Sequence, residues 1–174
     1  MARVAFVVES GYEDSELADP WRALEAAGHA CTLVGVEAGR KIEGKRGASR
    51  GVIDVAAAEA KAEDFDALVI PGGHSPDRLR TESTVVEFVR GFFAAKKPVA
   101  AICHGGSLLV EVDAVRGRRL TSWPSIRTDL RNAGATWVDR SVVEDGNLIT
   151  SRKPADIPEF VAAILARLPA MKRA

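Results

Sequence analysis

The chain has only two cysteines, Cys31 and Cys103, in 174 residues. Two thiols do not make a disulfide framework, and a reducing compartment is expected. Neither sign of charge is in excess, with 24 Lys and Arg against 24 Asp and Glu. A balanced chain has no global field to attract nucleic acid or an anionic membrane, so neither is expected as a partner. No apolar run reaches membrane-spanning length. The first apolar segment, Val4-Ala5-Phe6-Val7-Val8, meets Glu9, Glu13 and Asp14 too soon to be the core of a secretion signal. A cytoplasmic protein is therefore expected. No three of Cys, His and Asp or Glu stand at metal-site spacing, and a phosphate-binding loop and a dinucleotide fingerprint are both missing. No metal and no cofactor are expected. Repeats, low-complexity segments and linkers are absent too, and the length suits one domain over residues 1–174.

What is present is an alternation of strand and helix signals. Residues 4–8 form a continuous apolar run, the signature of a strand buried on both faces. Residues 15–27 predict a helix with Leu17, Trp21 and Leu24 on one face, Gly28 as its stop, and Pro20 in its first turns or at a bend. A second strand is expected at 31–36, then a glycine-rich stretch with a hairpin pairing 41–43 to 51–53. Buried strands follow at 66–70 and 98–102, separated by a helical stripe of Val85, Val86, Val89, Phe92 and Phe93. Beyond them lie a short strand at 120–121, a helix at 125–133 and a short strand at 137–139. A hairpin over 142–150 turns at Asp145-Gly146-Asn147, and a last helix spans about 157–168. This order predicts a three-layer α/β/α sandwich around a mainly parallel sheet, of flavodoxin-like type.

In such sheets the site lies beyond the carboxyl ends of the strands. Three segments rich in glycine or ionisable groups fall there: residues 9–16, 71–77 and 103–107. The last reads as a strand, a sharp turn and a helix, with Cys103-His104-Gly105-Gly106 on the turn. Such an elbow strains the residue it presents and needs small neighbours. Set at a helix N-terminus, the sulfur would be favoured as thiolate. Two readings compete, a small buried hydrophobe or a nucleophile, and the glycine pair and adjacent imidazole favour the second. His104 is the nearest base, in a Cys–His–acid arrangement if a carboxylate orients it. Glu16 is either a solvated acid at a helix start or a buried partner that hydrogen-bonds the sulfur while protonated.

Gly72-Gly73 is either a tight turn or, with the His104 amide, an oxyanion hole. His74 and Gly105 lie at the rim of the candidate pocket, while His29, behind Gly28, reads as a surface residue and Cys31 as a core one. The basic runs Arg40-Lys41, Lys45-Arg46 and Arg116-Gly117-Arg118-Arg119 are diluted by glycines and read as solvated loops.

The segments Tyr12-Glu13-Asp14-Ser15-Glu16-Leu17, Phe65-Asp66-Ala67-Leu68-Val69-Ile70-Pro71-Gly72-Gly73 and Ala101-Ile102-Cys103-His104-Gly105 resemble the PfpI family of intracellular cysteine peptidase-like proteins. So do Ala133-Gly134-Ala135-Thr136-Trp137-Val138-Asp139 and Ser151-Arg152-Lys153-Pro154-Ala155-Asp156, so the similarity runs in order along nearly the whole chain. The wider superfamily includes the Parkinson's-associated protein deglycase, and its fold resembles that of class I glutamine amidotransferases. The resemblance implies Cys103 as nucleophile, Glu16 as its hydrogen-bond partner and His104 as the neighbouring imidazole. Asp77 stands where the peptidases usually carry a glutamate that reaches this histidine across a subunit interface, which implies a homodimer or hexamer. Trp123 stands near the pocket where tyrosine is common, and Gly73, His74, Gly105 and Trp123 are the expected substrate contacts.

The function expected is a cofactor-independent, cysteine-dependent stress-response hydrolase. Its substrates would be small dicarbonyls such as methylglyoxal, their early glycation adducts (deglycase or glyoxalase chemistry), or peptides. The alternative is a non-enzymatic redox sensor or chaperone-like stress protein using an oxidisable Cys103.

Overall fold

Strand β1 (Arg3–Val7) is buried on both faces, as its unbroken apolar run requires. Val4 and Phe6 join one apolar cluster while Ala5 and Val7 join the other. The computed structural model describes residues 1–169, so the last five residues of the expected domain lie outside the described residues.

In chain order β1 is followed by α1 (Asp14–Ala26), β2 (Ala30–Gly35), β3 (Lys41–Glu43), β4 (Arg50–Val52), β5 (Val55–Ala56) and β6 (Ala67–Ile70). Next come α2 (Ser75–Leu79), α3 (Ser83–Ala94), β7 (Val99–Ile102), α4 (Gly106–Glu111), β8 (Arg119–Leu120) and α5 (Arg127–Asn132). The chain continues through β9 (Thr136–Trp137), β10 (Val142–Asp145), β11 (Leu148–Ser151) and α6 (Ile157–Arg167). Seven strands form the central sheet in the order β10-β11-β7-β6-β1-β2-β5, parallel throughout except for the β10–β11 hairpin. Residues alternate between faces along each strand. Leu68, Ile70, Val99 and Ala101 therefore face Val85, Val89 and Phe92 of α3 and Leu108 and Leu109 of α4. Val69, Ala100 and Ile102 face Leu17 and Leu24 of α1 and Phe160 and Ile164 of α6. Each fully buried Leu, Ile, Val or Phe contributes about 1.5–3 kcal/mol, and both faces are covered by helices. This is the expected three-layer sandwich.

Several local expectations are corrected. The hairpin pairs Lys41 with Val52 and Glu43 with Arg50, one residue off the expected register, and it forms its own two-stranded sheet rather than an edge of the main one. The segments expected at 120–121 and 137–139 pair in parallel as β8 and β9, also outside the main sheet. The true edge is β5, two residues long and too short to leave a periodic signal. Pro20 lies inside α1, which continues through it although the ring removes the N–H that would reach the Glu16 carbonyl. His29 is buried rather than at the surface, because its Nδ1 accepts the Ala2 backbone N–H at 3.1 Å. Among the described residues, no helix is long and apolar enough to cross a membrane.

Candidate active site

β1 pairs with β6, and β6 with β7, so three strand ends emerge side by side. Residues 9–16 leave β1, 71–74 leave β6, and Cys103 leaves β7 in a 3₁₀ turn, Cys103–Gly105, that runs into α4. Cys103 has φ +61°. Lys96 and Asp113 share that left-handed conformation, but each follows a helix end, where it is a common cap. Cys103 instead sits where strand meets helix, at a cost of about 1–3 kcal/mol that the surroundings must sustain. A Cβ on Gly105 would stand 2.8 Å from the Ile70 carbonyl oxygen, so the turn closes only over a glycine.

Glu16 is fully buried, with 0% of its surface exposed. Its Oε2 accepts the Gly72 N–H at 2.7 Å, and among the described residues its Oε1 has no hydrogen-bond partner. Burial pushes its carboxyl up to about 7, opposed by the Gly72 N–H and assisted by the neighbouring Glu13 charge. The reading of Glu16 as a solvated acid is therefore excluded. Burial also pushes the Cys103 thiol up to about 12, with the Glu16 charge adding to the rise, while the backbone N–H groups of His104 and Gly73 at the sulfur pull the other way. The expectation of a thiolate favoured by the helix terminus is thus corrected: desolvation and Glu16 dominate. The second cause disappears when Glu16 is protonated. The two groups act on each other's charge, so their titrations are coupled.

Gly72 is not the oxyanion donor the sequence suggested, since its N–H is committed to Glu16. The N–H groups that face the sulfur belong to Gly73 and His104. Gly73 has φ +75°, and a Cβ there would lie 2.4 Å from the Glu13 nitrogen.

His104 Nδ1 lies 3.4 Å from Cys103 Sγ, and its Nε2 lies 3.1 Å from Ser125 Oγ. Its imidazole stacks on Trp123 with ring centres 6.5 Å apart. Burial, followed by the charges of Lys45 and His74, pushes it below the usual histidine value, which keeps it neutral. Trp123 donates its backbone N–H to the Cys103 carbonyl at 3.1 Å, tying its loop to the elbow. Asp77 and His74 line the same cavity, but among the described residues no carboxylate hydrogen-bonds His104. Within one chain Ser125 occupies the third position of the arrangement. Nothing in the sequence marked it, because it is one serine in a short turn.

Glu16, Gly73, His74, Asp77, Cys103, His104 and Trp123 line one cavity of about 1010 Å³, whereas Gly105, expected as a substrate contact, lies under the turn and is not part of the lining. The lining also includes the apolar Val110, Ile126 and Leu130 and the charged Glu13, Lys45 and Arg46. Lys45 and Arg46, expected to be merely solvated, thus belong to the site. Among the described residues, no group of three or more His, Cys, Asp or Glu side chains is gathered as a metal site.

The DJ-1/PfpI family model matches residues 2–167. The chain belongs to the DJ-1/PfpI family. General stress protein 18 of Bacillus subtilis is 44% identical over 167 residues, 95% of this chain and 97% of that one. Protein/nucleic acid deglycase 2 of Escherichia coli is 43% identical, over 91% of this chain and 92% of its own length. Among solved structures, a two-domain protein from Anabaena variabilis with DJ-1/ThiJ/PfpI-like and ferritin-like domains superposes with a TM-score of 0.95 at 42% identity. That match covers 96% of this chain and 48% of the two-domain protein. The DJ-1/PfpI fold thus accounts for almost all of the chain, with Cys103 at the strand–helix junction where β6, β7 and the β1 loop meet.

Proposed function

We propose that this protein is a cofactor-free stress-response hydrolase that uses Cys103 on small dicarbonyls and on their early adducts with amines or thiols. The observation that carries the reading is the Glu16–Cys103 pair: a buried acid poised near neutrality beside a thiol held in a strained elbow. In the minority form of the singly charged pair, where the remaining proton sits on Glu16, the charge lies on the sulfur, and the Gly73 and His104 N–H groups stabilise it. The thiolate adds to the aldehyde carbon of methylglyoxal, and the carbonyl oxygen takes up a proton to give a hemithioacetal. With an amine adduct, the same carbon loses the amine, which departs with a proton, and gains the sulfur. His104, kept neutral and next to the sulfur, moves the proton from that carbon to the neighbouring oxygen-bearing carbon, converting the hemithioacetal into a lactoyl thioester. Water then cleaves the thioester to lactate and regenerates the thiol.

Relatives named as a general stress protein and a protein/nucleic acid deglycase support this reading. The cavity, at the upper end of sizes that hold drug-sized ligands, favours adducts on a side chain over free methylglyoxal. Peptide hydrolysis is the second reading, favoured by the same volume and by the apolar lining residues. It needs an acid to orient His104, and Asp77 from a second copy in a homo-oligomer would supply it. A redox sensor is the alternative, since the thiolate that would attack a carbonyl is also the form open to oxidation, and that reading leaves turnover of all three substrates independent of Cys103.

The test is turnover of methylglyoxal, of its N-acetylarginine adduct and of a fluorogenic peptide by the wild type and Cys103→Ala. Lactate formation that requires Cys103 is the expected result. Equal rates for both proteins on all three substrates would overturn the assignment.

A further inference from the structure

The β3–β4 turn, residues 44–49, is wound around one carboxylate. Asp14 accepts the backbone N–H groups of Arg46 at 3.0 Å and of Ala48 and Ser49 at 2.8 Å. A Cβ on Gly44 would lie 2.2 Å from Asp14 Oδ1, so only glycine lets the turn close on it. Lys45 donates its N–H to the Tyr12 carbonyl at 2.8 Å, and the Tyr12 and Ser49 hydroxyls are 3.0 Å apart. Burial works against the Asp14 charge, but the three N–H groups more than offset it and hold its carboxyl below the usual range. A solvated turn needs no buried carboxylate at its centre. The effect of this latch is to set Lys45 Nζ on the Glu13 carboxylate, with Arg46 Nε 3.9 Å from the same group.

Glu13 lies three residues before Glu16, and it is buried. Left alone, its charge would oppose a second negative charge on the nearby Glu16–Cys103 pair. We propose that Lys45 is a positioning residue for that pair: by holding Glu13 in an ion pair, it cancels the field of the second acid and lets the pair carry its charge at neutral pH. This rests on the proton-sharing reading above. Around the pair, the charged or titratable groups are Glu13, Lys45 and Arg46, His104 at the elbow, and His74 and Asp77 after β6. Arg80, after α2, and Asp129, in α5, also line the cavity, and Arg80 is engaged by Glu111 at 3.2 Å. Lys45 is the cation in closest contact with the acid beside Glu16. Consistent with this, the Glu13 charge works to raise Glu16 and the Lys45 charge to lower it.

The test is the pH profile of Cys103 alkylation by iodoacetamide in substrate-free protein, in a Cys31→Ser background. Lys45→Met is expected to move the midpoint up by about half a pH unit or more, roughly threefold slower alkylation at neutral pH. Glu13→Gln moves it down, the double variant returns it to the wild-type position, and Lys45→Arg leaves it in place. Asp14→Asn, which loosens the turn without altering Lys45, reproduces the upward shift. A Lys45→Met midpoint that coincides with the wild type would overturn the proposal, and so would a double variant shifted as far as Lys45→Met alone. Whether the wild-type midpoint lies near neutrality tests the shared proton. The differences between variants test Lys45 wherever that midpoint falls.

Discussion

Gly72 donates its N–H to Glu16 Oε2 at 2.7 Å, and a Cβ on Gly72 would stand 2.6 Å from that oxygen. The same Cβ would lie 2.8 Å from Cys103 Cβ and 3.0 Å from the His104 nitrogen. The acid, the thiol and the elbow backbone therefore meet over a position with room only for hydrogen.

Gly72→Ala is accordingly expected to damage both activity and stability. Overpacking of this kind costs about 1–3 kcal/mol, and displacing Glu16 or Cys103 lowers Cys103-dependent turnover by about tenfold or more. Thermal unfolding and the lactate assay read the two effects separately. Wild-type turnover in this variant would contradict the tight three-way contact.

Glu16→Gln keeps the acceptor for Gly72 but removes the titrating proton. Cys103 alkylation at pH 7 is expected to slow by about threefold or more, because an amide N–H is a weaker donor to the thiolate than the protonated carboxyl, while burial opposes the thiolate as before. Stability moves the other way. A carboxyl raised to about 7 when folded contributes stability that is complete below its unfolded value and is lost as pH rises through about 7. Glu16→Gln escapes that loss, so it is expected to be more stable than the wild type at pH 8 by a few kcal/mol, with the gap closing toward pH 5. Denaturant unfolding at the two pH values measures it.

Asp14→Asn weakens three charge-assisted hydrogen bonds and is expected to cost about 1–3 kcal/mol at neutral pH. Because the folded carboxyl lies below its unfolded value, its contribution is present above the unfolded value of about 4 and is lost as pH falls through the folded one. The difference between wild type and variant should therefore shrink in acid. Unfolding curves at pH 7 and pH 3 provide the comparison.

His29 is held below its usual value by burial, and its Nδ1 already accepts an N–H. Protonation is thus disfavoured in the folded state, and stability falls as pH drops below the unfolded value of about 6.5, by up to about 1.4 kcal/mol per unit. His29→Gln should lack this slope, and the wild-type minus variant difference between pH 7.5 and 5.5 isolates it. A constant difference would contradict the buried neutral imidazole.

The alternation of continuous apolar runs with helical stripes made the central sheet, its layers and the β10–β11 hairpin legible from sequence, because burial on both faces leaves a strong pattern. β5 and Ser125 left none, since two residues show no period and a lone serine in a turn has no signature. His29 was misread because its partner, the Ala2 N–H, lies 27 residues away. Lys45 and Arg46 were misread for a similar reason: the carboxylates that place them, Asp14 and Glu13, belong to a different element.

The residues around Cys103 determined by themselves that a thiol would be presented on a strained turn, since β7 must end there and the glycines that follow have no side chain to obstruct it. Only the tertiary structure decided how that thiol is controlled. It buries Glu16 against Gly72, removes both ionisable groups from water, and latches Lys45 over Glu13. Desolvation and the charges brought in from distant segments are properties of the packed molecule, and no local run of residues encodes them.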